Sequence, residues 1–173
     1  MGKTLNTRVI FEGRAVKLRV DTVLTGDNRQ TTREVVEHVP CIAVVPVDAR
    51  GNILLVKQFR QAVGKELLEI PAGGIEPGED PAAAVAREMR EETGFLPHKI
   101  EPLGGFYAAP GYATEYLHLF LAAELEPLPL VAEDTAEIKV VPVSKDRIPI
   151  MIASGEIQDS KSIAGLLRYL YIK

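Results

Sequence analysis

Cysteine is almost missing from this chain. Cys41 is the only one among 173 residues, which excludes an intrachain disulfide or a cysteine-rich zinc site and gives no sign of an oxidising compartment. Core packing is the expected role of that thiol. Long apolar runs are missing too: none approaches the roughly 20 residues a spanning helix needs, and no apolar stretch follows the basic residues near the N-terminus. Neither a transmembrane segment nor a signal peptide is expected, and the default location is the cytoplasm. Basic charge is not in excess. With 20 Lys and Arg against 24 Asp and Glu, the formal net charge of −4 leaves no electrostatic footprint for nucleic acid or a membrane surface. An acidic protein with an anionic ligand would need a local cationic patch or a metal. Internal repeats, low-complexity tracts and an appended helix-turn-helix are also missing. The remaining composition, 46% apolar and 25% charged, suits one globular domain with room for a small lobe.

The chain is organised around Gly73-Gly74-Ile75-Glu76-Pro77-Gly78-Glu79-Asp80-Pro81, followed by Ala82 to Glu92 and Thr93-Gly94-Phe95. This reads as a glycine-rich loop feeding one acidic helix. Asp80 is a suitable N-cap, Pro81 suits the first helical position, and Gly94 can adopt the left-handed conformation that ends a helix. Pro81, Ala84, Val85 and Met89 form an apolar stripe at helical spacing. Glu88, Glu91 and Glu92 converge on another face, in the last turns, where the negative end of the helix dipole opposes them. A solvated face balanced by Arg87 and Arg90 is the bland alternative; beside an open loop, the same carboxylates suit a hard divalent cation shared with phosphates.

Gly73, Glu79, Arg87-Glu88, Met89, Glu91-Glu92, Gly94 and Phe95 occupy every specified position of a Nudix box, so the chain resembles that family. The resemblance implies an α/β fold: a Nudix-type α/β/α sandwich with a mixed central sheet and an N-terminal antiparallel β lobe. It implies a hydrolase that cleaves a nucleoside diphosphate linked to another group. Mg²⁺, with Mn²⁺ as the alternative, would be held by Glu88, Glu91, Glu92 and the Ala72 carbonyl.

Residues 6–39 read as a β-meander with turns at Glu12-Gly13 and Gly26-Asp27-Asn28. These strands are polar for their length and offer little apolar surface, so the lobe, residues 1–39, should lie on the hydrolase domain, 40–173, or on a second subunit. In the Nudix subgroup acting on ADP-ribose such a lobe exchanges between protomers and helps to hold adenine. By that resemblance Arg14 and Glu34 are candidate adenosine contacts and a homodimer is expected; exposed strand charges are the alternative for both residues.

Cys41 to Val47 and Ile53 to Phe59 read as two buried strands of a central sheet joined by a tight hairpin at Asp48-Ala49-Arg50-Gly51. Arg60, just beyond, resembles the position from which the family contacts a substrate phosphate, a task for a planar fork. Glu66 to Pro71 forms a short strand leading into the box. Strands are expected at Ile100 to Ala109 and Glu115 to Ala122, around a Pro-Gly turn. Pro110 to Glu115 resembles the downstream signature of ADP-ribose pyrophosphatases, although Ala109 stands where that subgroup more often has Ser. Pro110 is thus a candidate substrate position and Glu115 a candidate carboxylate near the site, or a strand cap; His118 is assigned to structure. Glu124 to Glu137, rich in proline and acid, reads as a long loop before the strand Ile138 to Val143. In related enzymes an acidic loop there swings a glutamate toward the attacking water, with Glu133, Asp134 and Glu137 as counterparts; a solvated loop is the alternative. Ile148 to Ser154 and a second helix capped by Asp159 or Ser160, with Ile163, Leu166, Leu167 and Leu170 as its stripe, should cover one face of the sheet.

The leading expectation is an Mg²⁺-dependent hydrolase splitting ADP-ribose, or a close nucleoside diphosphate sugar, into AMP and a sugar phosphate. Glu91, Glu115 or Glu137 would accept the proton of the attacking water. GDP-mannose or another sugar nucleotide is the alternative substrate, since the box grips only the diphosphate. A non-catalytic nucleotide-binding module is the third reading. It has no need of three carboxylates crowded at a helix C-terminus.

Overall fold

The computed structural model describes residues 2–132 and 137–171. The chain divides into two units: Met1–Pro40 with Tyr107–Tyr116, and Cys41–Phe106 with Leu117–Lys173. In the first, β1 (Lys3–Glu12), β2 (Lys17–Leu24) and β3 (Gln30–Glu37) form an antiparallel sheet in that order. The Gly26-Asp27-Asn28 turn closes as expected. Asn28 sits at φ 58, and its N–H donates to the Thr25 carbonyl at 3.0 Å. The outer edge of β3 takes up the 107–116 segment, with the Val36 N–H donating to the Tyr112 carbonyl at 2.8 Å and the Thr114 N–H to the Val36 carbonyl at 3.0 Å. The expectation of little apolar surface is corrected here. All ten residues of β1 are exposed, and Leu5, Val9, Ile10 and Phe11 each show 44–57% of their surface.

The second unit holds β4 (Cys41–Pro46), β5 (Asn52–Arg60), β6 (Lys65–Glu69), β7 (Ala72–Gly74), α1 (Pro81–Thr93), β8 (Phe95–Tyr107), β9 (Tyr116–Pro127), β10 (Lys139–Ser144), α2 (Ile148–Ser154) and α3 (Ser160–Tyr171). The last residue of β8 and the first of β9 belong to the first unit. Every residue of β4 is buried. Successive side chains of a strand point to opposite faces: Cys41, Ala43 and Val45 pack with Leu166 of α3, while Ile42 and Val44 pack with Ala84, Val85 and Met89 of α1. The continuous apolar run therefore reflects a strand covered on both faces, the α/β/α arrangement expected. β4 pairs in parallel with β9 and antiparallel with β7, making a mixed sheet in the order β7-β4-β9-β8.

The expected hairpin between β4 and β5 does not form within one sheet. β5 lies in a separate antiparallel sheet, β10-β5-β6, and only an isolated bridge between Val47 and Ile53 links the ends of the two runs. The turn itself is where the residues put it: Gly51 has φ 81, and the Asp48 carboxylate accepts the N–H groups of Arg50 and Asn52, each at 2.8 Å. It redirects the chain into another sheet because pairing is decided by neighbours distant in sequence. Two boundaries also move. β8 begins at Phe95, directly after the helix, and β9 continues through Pro127, where a loop from Glu124 was expected. Glu124 takes a left-handed φ of 55.

Candidate active site

The carboxylate cluster is placed by α1, whose two ends are fixed locally. Asp80 is extended, with φ −72 and ψ 137, and its side chain accepts the Ala82 N–H at 2.9 Å. Gly94 closes the helix at φ 78, donating to the Arg90 carbonyl. With Ala84, Val85 and Met89 wholly buried against β4 and β9, the rotation of the helix is set, and Glu88 and Glu92 turn toward β7. Gly73 makes room for the first. A Cβ at that position would stand 1.9 Å from Glu88 Oε1, so the carboxylate occupies the space a side chain would fill. Glu92 Oε2 accepts the Ala72 N–H at 3.2 Å.

The cation expected beside this acidic face is partly supplied by the helix. Arg87 donates from Nε and Nη2 to the two oxygens of Glu79 at 2.9 and 3.0 Å. Its Nη1 reaches Glu88 Oε1 at 2.7 Å and Glu91 Oε2 at 3.3 Å, and Nη2 also reaches the Gly74 carbonyl at 2.9 Å. One guanidinium thus ties the glycine loop to two of the three helix carboxylates, using the fork geometry that lysine lacks. Among the described residues Glu92 receives no such partner. Burial pushes the Glu92 carboxyl up to about 8, the charge of Glu88 adds to this, and the Ala72 N–H, Arg60 and Lys161 oppose it. Burial also raises Glu88, against the hydrogen bond and charge of Arg87. Glu88 and Glu92, two hard oxygen donors whose charged forms are disfavoured, are matched by a divalent cation. On that chemistry Glu88, Glu91, Glu92 and the backbone of Ala72 fit a metal.

Arg60 is a built element of this unit rather than a loose surface charge. Its Nε and Nη2 donate to Glu69 Oε1 and Oε2 at 2.8 and 2.7 Å, and Glu69 is only 2% exposed. Lys161 of α3 binds the same carboxylate and the Asp159 carboxylate at 2.9 Å. Glu69 and Lys161 were not singled out from the sequence. A carboxylate buried by a distant helix has no local signature; only its position nine residues after Arg60, across the β5–β6 turn, could have suggested a pair.

The remaining candidates are placed as follows. In the first unit, Arg14 is exposed at the bend after β1, and Glu34 is exposed on β3 opposite Val20. Pro110 is exposed in a turn closed by the N–H groups of Tyr112 and Ala113 on the Ala109 carbonyl, at 3.1 and 2.8 Å. Glu115 Oε1 lies 3.9 Å from His38 Nδ1. In the second unit, Glu137 is exposed, while Glu133 and Asp134 lie outside the described residues.

The NUDIX domain profile matches residues 37–161. The chain belongs to the NUDIX hydrolase family. Its similarity to individual relatives runs almost end to end. The ADP-ribose pyrophosphatase of Bacillus subtilis (strain 168) is 37% identical over 173 residues, spanning 99% of this chain and 93% of the relative. The methanol dehydrogenase activator of Bacillus methanolicus is 35% identical over 173 residues, with the same spans of 99% and 93%. Among solved structures, an ADP compounds hydrolase superposes with a TM-score of 0.89, covering 97% of this chain and 91% of the other. At 18% identity that last likeness speaks for the NUDIX fold alone.

Proposed function

We propose that this protein hydrolyses the pyrophosphate of ADP-ribose, or of a closely similar nucleoside diphosphate sugar, to AMP and a sugar phosphate. The observation that carries the reading is the pair of enclosed carboxylates, Glu88 and Glu92, seated against a glycine loop where a cation would relieve them. Mg²⁺ would be held by these two, by Glu91 beside them and by the Ala72 carbonyl. When bound, the ion would offset the charge of the diphosphate and lower the pKa of a water. Of the candidate bases, Glu91 is supported by its place on the Arg87 guanidinium shared with Glu88; Glu115 and Glu137 are the alternatives. Arg60, whose Nη1 is not taken by Glu69, would steady a phosphate oxygen. Arg14, Glu34 and Pro110 would contact the adenosine half.

The substrate assignment draws support from the near full-length likeness to the Bacillus subtilis relative; the other relative's name describes an effect on another enzyme. A homodimer in the cytoplasm completes the proposal. Its support is the exposed apolar side chains of β1, and among the described residues no helix is long and apolar enough to cross a membrane. The test is a panel of nucleoside diphosphate derivatives incubated with Mg²⁺, with products identified by mass. AMP and ribose phosphate from ADP-ribose are expected. Turnover of GDP-mannose alone would move the substrate, and no turnover on the whole panel would refute the hydrolase assignment.

A further inference from the structure

Among the described residues, Glu69 is the carboxylate with the least surface open to solvent, and the hydrolytic reading gives it no task. It sits at the end of β6, three residues before Ala72, and takes both donors of the Arg60 fork. Lys161 approaches from the first turn of α3. That turn is tied to the strand by one bond and braced by others to Asp159 just before it. The Ile70 N–H donates to Ser162 Oγ at 2.8 Å, Ser162 Oγ donates to Asp159 Oδ2 at 2.5 Å, and Lys161 donates to that same oxygen at 2.9 Å. One helical turn beyond Lys161, Gly165 lets α3 lie close; a Cβ there would stand 2.9 Å from Ile70 Cδ1 and 3.0 Å from Leu119 Cδ1. The group is charge-balanced, with Arg60 and Lys161 against Glu69 and Asp159, so its members satisfy each other in place of water.

A surface arginine would keep its rotamer freedom and lose it on gripping a ligand. This one is already ordered by a bidentate pair whose acceptor is itself held by Lys161. We propose that Glu69 and Lys161 are positioning residues, which fix the Arg60 guanidinium so that its remaining Nη1 edge meets a substrate phosphate without further ordering. The inference rests on the proposed hydrolase reading. It adds two residues outside the Nudix box to the machinery of the site, each acting through Arg60.

The test is a double-mutant cycle. Glu69→Gln with Lys161→Met removes one charge of each sign and nearly keeps the volumes; Glu69→Asp is the second variant, which retains the charge but shortens the reach, in case the first does not fold. Each is combined with Arg60→Lys, which keeps a cation but lacks the fork. In the wild-type background either change is expected to raise KM for ADP-ribose about tenfold with kcat within about threefold, ~1.4 kcal/mol of lost binding. In the Arg60→Lys background the same change should cost less than about twofold, because the fork it orders is gone. AMP with Mg²⁺, followed by calorimetry, repeats the cycle without turnover: an enzyme that bound AMP with this pattern but cleaved nothing would overturn the hydrolase reading alone. Equal penalties in both backgrounds, or unchanged KM and AMP affinity in a folded variant, would overturn the positioning role.

Discussion

At Glu92 the surroundings disfavour a negative charge, with burial first and Glu88 second. Substituting Glu92→Gln keeps the shape and removes both the disfavoured charge and a proposed metal ligand. Activity is expected to fall roughly 100-fold or more, since even changes to groups that merely orient ligands cost about 10–100-fold. The melting temperature without metal should hold or rise. Turnover within twofold of wild type at limiting Mg²⁺ would refute the ligand assignment. Glu69 has the opposite sign. Burial raises its carboxyl, but the Arg60 hydrogen bonds and the Lys161 charge outweigh that and hold it below the usual 4.5. A group whose folded pKa is depressed contributes stability above its unfolded pKa and loses it as pH falls through the folded value. Thermal unfolding followed from about pH 6 to about pH 3 should therefore show an acid limb that is shallower in Glu69→Gln. An unchanged slope would show that the pair contributes nothing to acid stability.

At the scale of elements, α1 was the most legible part of the chain because its information is local. Asp80, Pro81 and Gly94 each act within a turn of themselves, and the stripe Ala84, Val85 and Met89 needs only the helical period. β4 was legible for a similar reason, as a six-residue apolar run covered on both faces. Sheet membership was not legible: β4 and β5 part company because β9 and β10, some seventy or more residues away in sequence, supply their neighbours. The site divides the same way. Glu88, Glu91 and Glu92 could be placed from spacing, whereas Glu69 and Lys161 meet across 92 positions and leave no pattern. Two glycines of the box separate packing from chain conformation. Gly73→Ala would put a methyl group where Glu88 lies, so Mg²⁺ affinity by calorimetry is expected to drop at least about tenfold. Gly94→Ala forces a left-handed residue and should cost about 1–2 kcal/mol in urea unfolding while leaving Mg²⁺ affinity within about twofold. Equal Mg²⁺ affinities for the two variants would contradict this division.

For the molecule as a whole, the exposed strand decides the expectation. β1 is an edge strand ten residues long with Leu5, Val9, Ile10 and Phe11 open to solvent, the kind of edge that proteins ordinarily cover or charge. A second copy of the same sheet provides a closed, two-fold cover. Sedimentation at micromolar concentration is expected to show a dimer, and Phe11→Glu should shift it toward monomer while the affinity for Mg²⁺ stays unchanged. A wild-type monomer would exclude this arrangement.

The bond between the His38 N–H and Thr114 Oγ1 spans 76 positions, and that interval becomes a delay during biosynthesis. At about 5–20 residues per second, the first three strands leave the ribosome roughly 4–15 s before the segment that completes their sheet. For that interval the nascent chain carries β1 and an unfinished β3 edge without their final neighbours. Much of the hydrolase core is translated meanwhile, yet that core waits longer still, because most of β9 and all of β10 and α3 follow the completing segment.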